Sequence, residues 1–226
     1  MDTTNISNNK KIQMLFRNNK PLIIMSLFLL GGLIVFGQIG FIASIVLMLV
    51  IHWFRKSSME ELGLSNPKSW LKVIGLGVLL TIVIMTIVLL LINPLIFELF
   101  PPETKDLSRF NNIKGNEGLL ILSIIGAWIT AGFAEELIWR GYVMKQIAIL
   151  FGNKRSSWII SLLISSITFG FLHFYQGPIG IIQTGIVGLF FGIIFIVNGK
   201  KNLWINIIVH GLIDTISMIA LYMGAV

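Results

Sequence analysis

The chain of 226 residues contains no cysteine, and only 12% of its residues are charged. The first absence excludes disulfides, cysteine-ligated metals and a thiol nucleophile. The second argues against a soluble domain, in which roughly a quarter of the residues would be charged. Two catalytic signatures are also missing: no GxSxG nucleophile elbow and no HExxH zinc helix occur. Acidic residues are scarce, ten against seventeen Lys and Arg, giving a formal net charge of +7. That excess does not point to nucleic acid. The basic residues fall between apolar runs and form no single basic face.

Apolar residues dominate, at 55% of the chain. They form runs at about 21–36, 39–54, 72–97, 119–150, 158–175, 179–198 and 203–225. A helix crossing a bilayer needs about 20 such residues. The expected fold is therefore all-α: a polytopic transmembrane helical bundle of about seven spans in the bilayer. The first two runs meet at GQIG and should form a tight hairpin. The run at 119–150 exceeds one span, so part of it should protrude or lie at the interface. The expected organisation is a disordered basic tail (1–20), N-terminal transmembrane helices and linkers (21–118) and a helical core carrying the site (119–226). The basic stretch before the first run is long and no small-residue cleavage site follows it, unlike a cleaved signal peptide.

Charge placement supports the count. The tail carries Lys10, Lys11, Arg17 and Lys20, and the next linker carries Arg55, Lys56, Lys68 and Lys72. Arg140, Lys145, Lys154 and Arg155 form a third group, and Lys200 with Lys201 a fourth. With seven spans these 14 residues share one side, which the positive-inside rule makes cytoplasmic. The expectation is a multi-pass plasma-membrane protein with its N-terminus in the cytoplasm and its C-terminus outside. A further motif, GLFFG at 188–192, is a GxxxG that would admit a close neighbouring helix.

Three acidic residues, Glu135, Glu136 and Asp214, sit inside apolar runs, as do His173 and His210 among three histidines. Ionisable groups at membrane depth are costly and commonly face a functional cavity. The third histidine, His52, lies near the basic end of its run and reads as a packing residue. The turn between the fourth and fifth runs centres near Lys154, 19 residues after Glu135 and 19 before His173. An antiparallel pair would bring these two to similar depth. His210 and Asp214 lie one helical turn apart on one face, and so do Glu136 and Arg140. Glu135, His173, His210 and Asp214 can thus converge on one buried site. Such a set suits hydrolysis, with a carboxylate as base and a donor for the carbonyl oxygen. It could also bind zinc or form a transporter's proton relay.

These residues resemble a family pattern. EELIWRG (135–141) is similar to the EExxxR motif of the CPBP intramembrane proteases, which include CAAX prenyl endopeptidases and bacteriocin-processing or immunity proteins. FGFLH (169–173) is similar to their FxxxH motif and HGLID (210–214) to the last, HxxxN or HxxxD. The resemblance spans about 131–214. It implies a membrane-embedded endopeptidase acting on a peptide or membrane-protein substrate. It further implies that Glu135 and His173 activate water, that His210 and residue 214 stabilise the oxyanion or hold a metal, and that Glu136 and Arg140 order the site. No cofactor is the first expectation; zinc held by Glu135, His173, His210 and Asp214 is the alternative. CAAX endopeptidases usually end the last motif in Asn, whereas this chain has Asp214, which donates no hydrogen bond unless protonated. A non-catalytic immunity protein that keeps the motif as scaffold is the other reading.

Overall fold

The computed structural model describes residues 19–100 and 112–224. The described residues form helices without any strand; one isolated antiparallel bridge joins Leu64 to Asn202. Of the expected tail, residues 1–18 lie outside the described part, and Lys20 already opens the first helix.

Helix α1 (Lys20–Ile34) starts where the Asn19 side chain accepts from the Leu22 amide and Pro21 occupies the first turn. It turns at Gly37, whose φ of 71° suits glycine, into α2 (Gly37–Phe54). The expected hairpin is there. The Ser44 hydroxyl donates to the Leu30 carbonyl across it, and a side chain at Gly40 would strike the Leu33 carbonyl. A 3-10 turn (Met59–Leu62) leads to α3 (Trp70–Leu99). One π turn, Val88–Ile92, interrupts α3 just before Pro94. Proline lacks an N–H and its ring crowds the carbonyl four residues back, so the helix widens there.

Asn116 caps α4 (Glu117–Leu150), its side chain accepting from the Leu119 amide. Two π segments, Trp128–Glu135 and Leu137–Val143, fill the middle of α4 on either side of Glu136. The second half of this run packs inside the bundle. Nearly every residue from Leu137 to Ala148 is buried, packed by Leu30, Met48, Phe195 and Leu203. α5 (Arg155–Phe171), a 3-10 turn (Phe174–Gln176), α6 (Gly177–Val197) and α7 (Trp204–Met223) complete the bundle.

Small residues set the helix spacing, as expected where lipid supplies no hydrophobic drive between helices. A Cβ at Gly170 of α5 would meet the Ile181 carbonyl and the Gly185 backbone of α6. The GxxxG glycines do the same: a Cβ at Gly188 would press on Phe169 and one at Gly192 on Leu162. Outward faces are apolar, with Phe28, Ile39 and Leu71 among the most exposed side chains. That pattern fits a hydrocarbon solvent. Five helices are long and apolar enough to cross a membrane: α2, α3, α4, α7 and the helical stretch Phe174–Val197 that contains α6. Helices α1 and α5, of 15 and 17 residues, are apolar but shorter. At 1.5 Å per residue they reach roughly 22 and 26 Å, less than a hydrocarbon core of about 30 Å. The protein is thus a multi-pass helical membrane protein, and seven full spans remain a sequence expectation.

Candidate active site

Consecutive residues on a helix point in different directions, and the two adjacent glutamates show the consequence. Glu136 is fully buried and surrounded by donors. Its Oε1 accepts from Arg140 Nη1 at 2.8 Å and from His210 Nδ1 at 2.9 Å. Its Oε2 accepts from Asn206 Nδ2 at 3.2 Å. Glu135 is only partly buried, and among the described residues its carboxylate makes no hydrogen bond or ion pair.

Arg140 is held through both terminal nitrogens, Nη1 on Glu136 and Nη2 on a backbone carbonyl. Its Nη2 donates to the Gly188 carbonyl at 3.0 Å, which the missing side chain leaves open. Its guanidinium lies 4.8 Å from the Phe169 ring centre and 5.1 Å from that of Phe191. The planar cation is therefore clamped between two aromatic faces and neutralised by Glu136. That is how a buried ion pair is retained at all, since desolvating either charge alone costs several kcal/mol.

Helix α7 presents Asn206, His210 and Asp214 at successive four-residue steps on one face. Because a carboxylate only accepts, His210 carries a proton on Nδ1 toward Glu136. Its Nε2 then faces Asp214, whose Oδ2 lies 3.9 Å away and whose side chain is one-quarter exposed. Phe191 packs against the imidazole, with ring centres 4.7 Å apart. His173 stands where α5 ends. Its Nδ1 meets the Phe169 carbonyl at 2.7 Å, an acceptor, so neutral His173 keeps its lone pair on Nε2. The Phe169 ring packs against His173 at 4.7 Å and reaches His210 at 6.5 Å.

The structure thus brings together Glu136, Arg140 and His210 in one bonded cluster, with Asp214 3.9 Å from His210 and Glu135 beside Glu136 in the chain. It does not bond Glu135 to His173, and His210 turns to Glu136, not to Glu135. The α4–α5 register stays close to the hairpin count. Phe169 meets Arg140 and Trp139, and one turn further along the two helices come His173 and Glu136. Among the described residues, no three His, Asp or Glu side chains are grouped as a metal ion would require. His52 is buried at the end of α2, away from this cluster.

One member of the cluster was not anticipated. Asn206 links Glu136 to the Phe191 carbonyl, 2.7 Å from its Nδ2, and so fixes α7 against α4 and α6. The signal was a buried amide four residues before His210 within an apolar run.

The family model for type II CAAX prenyl endopeptidase Rce1-like proteins matches residues 117–216, from the start of α4 into α7. The match supports a CPBP-type intramembrane protease, and in general a CAAX-type endopeptidase, over that part of the chain. No curated protein and no solved structure matches the chain. All residues of the bonded cluster, and Glu135 and His173, fall inside the matched segment.

Proposed function

We propose that the chain hydrolyses a peptide bond of a peptide or membrane-associated protein substrate, using a water molecule activated by Glu135. The observation that carries this reading is the division between the two glutamates. Glu136 has each oxygen engaged by a donor and is a structural anion. Glu135, next to it, is partly exposed and has its acceptor oxygens to spare. A general base must reach its water by hydrogen bond, and of the two only Glu135 can offer an oxygen without breaking the cluster.

In the proposed step, Glu135 takes a proton from water as the water oxygen adds to the scissile carbonyl carbon. The Glu135 carboxyl then returns that proton to the departing amine nitrogen. His173, whose Nδ1 is held by the Phe169 carbonyl, packs beside the cluster through Phe169. His210 orients through Glu136. With Nε2 also protonated, it would have a donor for the carbonyl oxygen as negative charge develops there. Glu136 would hold that imidazolium from its far side, and Asp214, 3.9 Å from Nε2, would add to its stabilisation on the near side. None of these steps is routed through a metal.

Comparative peptidomics tests the proposal. Membranes of cells making the wild-type protein should contain cleavage products that are missing from cells making Glu135→Ala at equal abundance. Identical peptidomes would instead favour a scaffold without catalysis. The cleaved sequences would also show whether the substrate ends in a CAAX-type C-terminus.

A further inference from the structure

Away from the candidate active site, two turns come together at one end of the bundle. The first, at 151–154, enters α5; the second, at 198–202, leaves α6. Each reverses through left-handed backbone, with φ of 55° at Asn153 and 64° at Lys200. Trp158 ties them together. Its indole N–H donates to Asn153 Oδ1 at 2.9 Å, and the Lys200 ammonium lies 4.5 Å from its ring centre.

Between these turns opens a cleft of about 370 Å³. Lys154, Arg155 and Lys200 stand on its rim, and Ile159 and Ile193 lie along its walls, each substantially exposed. Among the described residues no acidic side chain lines the cleft, and none of the three cations pairs with a carboxylate. Three uncompensated cations over an exposed apolar wall ask for a ligand with two parts. A free anion would answer the charges and leave the wall bare. A neutral acyl chain would cover the wall and leave the charges unanswered. Basic pockets between membrane helices accept anionic headgroups for this reason, while the lysine stems follow apolar surface to the interface.

We propose that this cleft binds an anionic phospholipid. Its phosphate would lie among Lys154, Arg155 and Lys200, and one acyl chain would run along α5 and α6 past Ile159 and Ile193.

Native mass spectrometry of the purified full chain in mild non-ionic detergent tests this, with phosphatidylglycerol and phosphatidylcholine as probes. The wild type should retain phosphatidylglycerol in preference to phosphatidylcholine. The variant Lys154→Gln/Arg155→Gln/Lys200→Gln should lose that retention by about tenfold or more. A comparator lacking three other cations, Lys56→Gln/Lys68→Gln/Lys72→Gln, should keep it. Equal loss in both variants would reduce the effect to general charge and overturn the site, as would undiminished retention in the first. Displacement of the lipid by millimolar inorganic phosphate would also overturn it, showing a site for a free anion. If the triple variant loses its fold, Lys200→Gln alone serves. Added phosphatidylglycerol should raise the unfolding temperature of the wild type and raise that of Lys200→Gln less; an equal rise would contradict the proposal.

Discussion

Arg140 concentrates the site's electrostatics in one side chain, because it is buried with Glu136 as its carboxylate partner. Arg140→Ala should therefore lower folded protein as well as activity. Removing one member of a fully buried pair costs about 3–5 kcal/mol. Normal abundance and thermal stability in that variant would instead make Arg140 a substrate-binding residue. Asp214 gives a second residue-scale prediction. Asp214→Asn supplies an amide donor where the CAAX endopeptidases carry one, so it should keep far more activity than Asp214→Ala. One oxyanion donor is typically worth about 10²–10³-fold in rate, which bounds the difference between a variant that offers an amide there and one that offers none. Steady-state rates of the two variants, with elemental analysis of the purified protein, check this. An inactive Asp214→Asn protein together with stoichiometric zinc would transfer the chemistry to a metal. Much of this residue scale was legible. The pair Glu136–Arg140 follows from four-residue spacing, and so does the alignment of His210 with Asp214. The bond from His210 to Glu136 was not legible, because spacing along one helix does not say which of two adjacent glutamates turns toward its neighbour. Asn206 is less conspicuous in an apolar run because an amide carries no charge.

At the scale of elements, the α5–α6 contact is set by glycine, and the contact makes a sharp prediction. Gly170→Ala brings a Cβ onto the Ile181 carbonyl and the Gly185 backbone, neither of which can swing aside. It should destabilise by about 1–3 kcal/mol. Gly126→Ala in α4 meets nothing within 4 Å and serves as the control. Thermal unfolding of the two variants in detergent decides the point, and an unchanged unfolding temperature for Gly170→Ala would remove the packing argument. The helices themselves could be read from the sequence because apolar runs and their polar punctuation are coarse signals. The ends of the seven helices fall within a few residues of the runs. The π segments of α4 could not be read, since widening a turn leaves the hydrophobic pattern intact. They matter here, for they flank Glu136 and set the directions in which the EExxxR residues point.

For the whole molecule, the structure gathers members of three of the basic groups at one end of the bundle, while Arg140, counted with the third group, is buried in the site. Arg55 donates to Gln146 at 2.8 Å, Lys145 to the Glu61 carbonyl at 2.6 Å, and Leu64 pairs with Asn202 beside Lys201. On the positive-inside rule we propose that this end faces the cytoplasm. If all seven helices cross, reporter fusions should place the N-terminus in the cytoplasm and Val226 outside. Fusions reporting the same side would show that one of the short helices, α1 or α5, does not span. Position in the chain and charge sign sufficed to suggest this arrangement. The depth of each helix depends on lipid thickness, which no residue states.

The central claim is that Glu135 is the base and Glu136 the anion that holds the site together. The most direct measurement compares Glu135→Gln and Glu136→Gln, purified as full chains, in cleavage of a substrate sequence identified from the peptidome and in thermal unfolding. Glu135→Gln should unfold at the wild-type temperature and lose cleavage by at least about 10². Glu136→Gln should lower the unfolding temperature, because Arg140 loses its carboxylate partner. A folded Glu135→Gln protein that cleaves at the wild-type rate would contradict the account.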